Sequence, residues 1–515
     1  MQLSHIRSLA GASFDEPNLV SSAGLVPVMA LAEQAGLRRL ADERLSVPTD
    51  KGANAGAKVA ALVAGMVAGA DSIDDFALLR HGGMRRVFDG CYAPSTLGSF
   101  LRAFRFGHVR QLDAVASRFL AGLAMRTPLT AGIDDYTLVD VDDTIIEVHG
   151  YAKQGSGYGY SGVRGLNALL ATVSTATAAP VIVAQRLRKG SCGSPRGAKH
   201  LVADALSTLR RLRQQAGSVG AVAPRTLLRA DSAFYGAAVV GAARRAGADV
   251  SITVRLDPKV KAAIASIAAD AWTTIEYPDA VFDETTGVWV SRAEVAETPF
   301  TAFASRNKAE QVAGRLVVRR IPDLGADAAA IGQDPLFDSW RFHAFFTTSS
   351  LDTVTADKTH RQHAIIEQVH ADLKNSALAH LPSGVFAANA AWLVLAVMAF
   401  NLTRAAGTLI GFRHAKATTG TLRRQLVHVP ARIASSARRV TLHLPTGWPW
   451  QTAWTDLFTR LRTTRHRDVL TTTASPPNRN RGEPGTRPAE QHGRTPRSAD
   501  QPTELLSRRS SVDRG

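Results

Sequence analysis

The stretch LVDVDDTII, Leu138 to Ile146, is composed as a β-strand with acids set into it. Aliphatic and β-branched residues dominate it, and successive side chains of a strand point to opposite faces. Asp140 and Asp142 therefore share one face, and Asp143 takes the other. Carboxylates on a strand otherwise built for burial are costly unless a cation pairs with them.

Outward from this stretch, the strand reading extends over Tyr136–Val148. A second strand, Pro180–Gln185, continues into the basic run Arg186–Lys189. A helix over His200–Gln215, a strand over Thr226–Ala230, a helix over Gly236–Ala246 and a strand over Asp249–Leu256 follow. Strands first, then strands alternating with helices, predict an α/β fold with a mixed sheet covered on both faces. Asp231 falls where the strand TLLRA ends and a helix begins, and ligands of open α/β sheets bind at such carboxyl ends. The same position suits a helix N-cap. Glu367 lies within a helix expected from about Thr359 to Asn375. There His360, His363, Glu367, His370 and Lys374 fall along one face.

Six segments follow from texture. Residues 1–130 read as an all-α region, with helical spacing in LVPVMALAEQAGLRRL, KVAALVAGMVAG and HVRQLDAVASRFLAGLAM. Ser95 is a candidate N-cap for a basic helix bearing Arg102 and Arg105, with Arg110 soon after. That order suits a helix-turn-helix DNA reader and equally an ordinary bundle. Residues 131–258 hold the first part of the sheet. Residues 259–343, with TTIEYPDAVF, GVWVSRAEVAE, GRLVVRRIPD and WRFHAFFTT between turns, read as an antiparallel β insertion. Residues 344–410 return to the core. Within them Asn389 and Asn401 interrupt the apolar stretch Val385–Leu402, which favours a buried helix over a membrane span. Residues 411–470, with Arg423 and Arg424, are basic, and the wider stretch 401–470 carries twelve Lys or Arg against two acids. The tail, 471–515, is rich in Pro, Arg, Ser and Thr and reads as disordered.

Lys and Arg number 61 against 44 acids, a formal charge of +17, which points to a polyanionic partner. The two cysteines, Cys91 and Cys192, form no CxxC, which excludes a disulfide framework or a cysteine zinc module. The N-terminus lacks a signal-peptide layout, so a cytoplasmic, nucleoid-associated location is expected. No GxxxxGK[ST], HExxH or GxSxG occurs. Gly157-x-Gly159-x-x-Gly162 fits a dinucleotide fingerprint by letter, but it opens no helix and reads as a turn.

The segments VDVDDTIIEVHG, LLRADSAFYG and HRQHAIIEQVHADLK resemble the three catalytic blocks of DDE insertion-sequence transposases. More specifically, the chain looks like the IS-four-like superfamily, whose ribonuclease-H-like core carries a β insertion before its last acid. Asp142 to Thr144 matches Asp-x-Thr, Asp231 matches the second block, and Glu367 and Lys374 match the second half of Tyr-x2-Arg-x3-Glu-x6-Lys. His360 and His363 stand where that pattern has Tyr and Arg. The resemblance implies cut-and-paste transposition: metal-dependent cleavage at terminal inverted repeats and strand transfer into target DNA by a homodimer. It implies two Mg2+ ions, with Mn2+ as a substitute, held by Asp142, Asp231 and Glu367, while Lys374 grips a phosphate. Asp140 remains an alternative first ligand. Arg102, Arg105, Arg110, His360, His363, Arg423 and Arg424 are candidate DNA contacts. Trp272, Trp289 or Trp340 could receive a flipped base. Two competing readings are a non-catalytic DNA-binding regulator and a metalloenzyme built on His363, Glu367 and His370.

Overall fold

The computed structural model describes residues 12–48, 50–150, 152–215, 224–283, 288–322, 340–436 and 439–471. The expected disordered tail lies outside the described residues from 472 onward.

Five strands form the centre of a 10-stranded mixed sheet: β1 (Tyr136–Glu147), β2 (Arg164–Ser174), β3 (Val181–Lys189), β4 (Arg225–Ala230) and β5 (Asp249–Thr253). Their order is β3-β2-β1-β4-β5. β1, β4 and β5 run parallel, and β2 is antiparallel to both its neighbours. β2 was not expected. Its sequence, RGLNALLATVS, is buried along almost its whole length, so the alternation that marks a half-exposed strand is missing. Gly157–Tyr158, inside the glycine motif, pairs briefly with β2, so that motif is a strand edge and turn and not a nucleotide loop.

Beyond β5 the chain forms α8 (Pro258–Ala265) before any further strand, where the sequence reading placed the start of an insertion at 259. Asp257 caps this helix by accepting from Lys259 and Val260 N–H, and Pro258 fills its first position. Four antiparallel strands follow: β6 (Thr273–Asp283), β7 (Val288–Ala302), β8 (Val312–Pro322) and β9 (Trp340–Thr347). β9 pairs antiparallel with β5, so these strands extend the main sheet instead of standing apart.

The longer helices up to residue 408, besides α8, are α1 (Leu25–Gln34), α2 (Leu37–Arg44), α3 (Ala55–Val67), α4 (Pro94–Arg102), α5 (Phe106–Ala124), α6 (Ala198–Gln215), α7 (Ala237–Arg245), α9 (Thr353–Arg361), α10 (Ile365–Lys374) and α11 (Phe386–Thr408), and a further helix spans Gln451–Thr471. Ala93 precedes α4 as its cap and Pro94 starts it, so Ser95 lies inside the helix and not at its cap. One apolar core runs from Val20 through the sheet to Leu461. The helices up to residue 130 contribute to that core, among them Leu112, Val115 and Phe119 of α5, and α5 packs on α11 across the boundary drawn at 130. α11 is long and apolar enough to cross a membrane, but 83% of its most apolar window is buried inside the protein.

The two asparagines of α11 explain how a helix this apolar is seated. Asn401 accepts from Ile182 N–H at 3.0 Å and donates to Ile182 O at 2.8 Å, closing backbone valences of β3. Asn389 makes the equivalent pair with Ser383. Replacing Asn401 by Ala would leave both Ile182 groups buried and unpaired, at on the order of 1–3 kcal/mol each. The expected outcome is a lower denaturation midpoint with an unchanged denaturant slope, measured by chemical unfolding.

Candidate active site

β1 and β4 stay in register up to Val141 opposite Ala230. One residue further on, Asp142 and Asp231 stand at neighbouring positions, where β4 ends and β1 continues only against β2. Asp231 caps the short turn Ser232–Phe234 by accepting from Ala233 N–H at 3.1 Å. The cap and the site position coincide, so neither reading displaces the other. Burial, and next the Asp142 charge, push the Asp231 carboxyl above the usual range. The Tyr160 phenol on the glycine-motif turn is also raised, by burial and then by Asp143, Asp142 and Asp231. Negative charge is thus concentrated at this rim.

The three acids of β1 have distinct fates. Asp140 is fully buried and takes both Nε (2.7 Å) and Nη2 (2.8 Å) of Arg229, its direct neighbour on β4. His363 Nδ1 adds a contact at 3.1 Å. Asp143, on the opposite face, is bound by Arg188 and Asn167. Asp142 alone keeps appreciable exposure, 23% of its side chain, and its Oδ1 accepts from Asp143 N–H at 2.8 Å. Of the two same-face carboxylates, Asp140 is already neutralised internally and Asp142 is the accessible one.

The expected helix from 359 to 375 is two helices, α9 and α10, joined by a tighter turn at Gln362–Ala364. The break separates a histidine facing β5 from one facing β1. His360 stacks on Phe345 at 4.0 Å, with Nδ1 2.8 Å from Ser251 Oγ and Nε2 3.0 Å from Thr253 Oγ1. Although an edge of the residue remains exposed, both nitrogens are committed inside the protein, leaving no free donor for DNA. Three residues on, His363 reaches Asp140, and a further two turns along, His370 Nε2 comes to 3.5 Å from Asp142 Oδ2. Glu367 lies between these two histidines on the same stripe and is exposed. Lys374 follows two turns after Glu367, its ammonium lowered by burial.

Burial pushes the His360 imidazole down to about 3. A histidine whose folded pKa lies below its unfolded value of about 6.5 contributes stability that is complete above the unfolded value. That stability is lost as pH falls from there toward the folded value. Wild type is therefore expected to lose more stability between about pH 6.5 and pH 4 than His360→Phe, read from unfolding midpoints across that window.

Other expected contacts are used internally. Arg110 joins Asp113 at 2.7 Å and Asp204 at 3.0 Å, tying α5 to α6. Arg423 is largely buried and donates to Val67 O. Arg102 and Arg105 line a cleft with Lys51 and His108, and Arg424 is exposed. Arg320 lies 4.2 Å from the ring centres of both Trp272 and Trp340, covering one face of each. The Trp289 side chain lies outside the described residues.

Sequence reading missed Arg188 and Arg229, the cations that neutralise Asp143 and Asp140. The only available signal was the cost of buried acids, which requires a cation without naming it. As for a metal, Asp142 and Asp231 are crowded carboxylates whose repulsion a hard dication would relieve, and oxygen donors of this kind suit magnesium. Among the described residues no group of three or more His, Cys, Asp or Glu is gathered to hold an ion. Asp142 and Asp231 follow the last paired residues of β1 and β4, and Glu367 lies on α10.

A mixed sheet flanked by helices, with acids at the carboxyl ends of its central parallel strands, defines a fold consistent with the ribonuclease-H-like transposases. The family model described as transposase DDE domain, group 1, matches residues 7–466. The chain belongs to that family and is a transposase, an enzyme whose partner is DNA. No curated protein matches it.

Proposed function

We propose that this transposase cleaves DNA at the ends of its own mobile element and joins the freed ends to target DNA, by cut-and-paste transfer. The observation that carries the reading is the register that sets Asp142 and Asp231 at neighbouring positions where β4 ends, with burial and then the Asp142 charge raising the Asp231 carboxyl. Glu367 completes the donor set from α10, whose flanking histidines touch the acidic face of β1. Asp142, Asp231 and Glu367 would hold two Mg2+ ions, or Mn2+ in their place. Bound there, the ions supply activation of the attacking oxygen and stabilisation of the leaving one.

The chain's own residues do the rest. Asp142 is oriented by Asp143 N–H and Asp231 by Ala233 N–H, so both carboxylates are aimed before any ion arrives. Lys374 holds a phosphate as a point charge. The cleft bearing Lys51, Arg102, Arg105 and His108, together with exposed Arg424, follows the DNA backbone. Strands β6–β9 are the insertion that separates the second acid from the third. Pairing of two element ends calls for a homodimer.

The test is strand cleavage of terminal-repeat DNA with Mg2+ or Mn2+. Asp142→Asn, Asp231→Asn and Glu367→Gln are each expected to lose cleavage while retaining DNA binding. Cleavage by all three at the wild-type rate would leave only a DNA-binding regulator.

A further inference from the structure

His370 is buried, 6% exposed, and neither of its ring nitrogens has a hydrogen-bond partner. An unpartnered polar ring in a protein interior costs free energy and calls for an explanation. The neighbouring stripe histidine, His363, is satisfied by Asp140, so the vacancy is specific to His370. Its Nε2 faces Asp142 Oδ2 at 3.5 Å, just outside a good hydrogen bond. Asp142 Oδ1 already accepts from Asp143 N–H.

The geometry points to His370 as a positioning residue for Asp142, an inference that rests on Asp142 being a metal ligand. A carboxylate oxygen has two lone pairs. With Oδ1 held by Asp143 N–H and Oδ2 held by His370 Nε2–H, one lone pair on each oxygen is used and the carboxylate plane is fixed. The remaining pairs face the site. A shift of about half an ångström closes the 3.5 Å gap to hydrogen-bond length, as catalytic hydrogen bonds tighten on loading. The His–carboxylate contact thus orients a ligand from outside the ion's own shell. Removing such partners costs on the order of 10–100-fold in metal affinity.

The experiment is Mn2+ binding to the full-length protein, followed by electron paramagnetic resonance without DNA, with melting curves as a folding control. Gln places a donor nitrogen near the position of imidazole Nε2, whereas Asn is too short. His370→Asn and His370→Ala are expected to weaken Mn2+ binding on the order of 10–100-fold, and His370→Gln to bind near wild type. Asp142→Asn serves as the reference. If Asp142→Asn weakens binding and His370→Asn does not, the positioning role is overturned. Equal weakening by Gln and Asn also overturns it, since the ring would then only fill space. If Asp142→Asn itself binds like wild type, the metal reading fails, and this inference falls with it.

Discussion

Asp140→Asn is expected to destabilise the protein by on the order of 3–5 kcal/mol, while Asp142→Asn leaves stability near wild type and abolishes cleavage. The two acids are two residues apart on one face of β1, yet their surroundings differ sharply. Asp140 is 0% exposed and neutralises Arg229, itself 1% exposed, through two hydrogen bonds. Its amide replacement keeps the shape but leaves a guanidinium buried without a counter-charge. Replacing both partners with apolar residues of matching size is expected to recover most of that loss, because a buried ion pair gains little over a well-packed apolar pair. Among the described residues Asp142 meets no Lys or Arg in an ion pair, only the His370 ring at 3.5 Å, and it is partly open. Unfolding midpoints and cleavage rates of the two single variants, measured side by side, check the separation. A stable Asp140→Asn protein without activity would make Asp140 the ligand instead.

Arg188→Met is expected to cost a comparable amount and to loosen the chain leading into α6. Arg188 is 6% exposed and binds Asp143, Asn167 and the carbonyls of Ser194 (2.7 Å) and Arg196 (2.8 Å). Methionine fills similar volume but strands the Asp143 carboxylate, 5% exposed, and frees the turn before α6. The penalty is again on the order of 3–5 kcal/mol, since one partner of a buried pair is removed. Amide hydrogen exchange should rise at residues 193–198 in the variant. Unchanged exchange there, with a loss of stability elsewhere, would contradict the anchoring role.

How far the sequence foretold this arrangement depends on whether the deciding contacts are local. The strands bearing Asp142 and Asp231 were readable because period-two alternation and the strand-to-helix transition are local signals. Choosing between Asp140 and Asp142 was not possible from alternation, which gives both the same face. What distinguishes them is Arg229, which lies opposite Asp140 through the register of two strands and 89 residues further along the chain. β2 escaped notice because a strand buried on both faces loses its periodicity. The surroundings of His360 are likewise set only in three dimensions. Its ring stacks on Phe345 and its two nitrogens meet hydroxyls from β5. The tryptophans suggested a stacking platform by composition, but Arg320 lies against two of them.

Iron-directed cleavage of the polypeptide gives the most direct view of whether the acids converge. Fe2+ bound in place of Mg2+ reduces added hydrogen peroxide to hydroxyl radical and hydroxide, ascorbate returns the resulting Fe3+ to Fe2+, and the radicals cut only the backbone close to the ion. The expected fragments end near residues 142, 231 and 367 together, and all three disappear in Asp142→Asn. Cuts near 142 and 231 without any near 367, or a pattern indifferent to Asp142→Asn, would contradict a shared ion pocket.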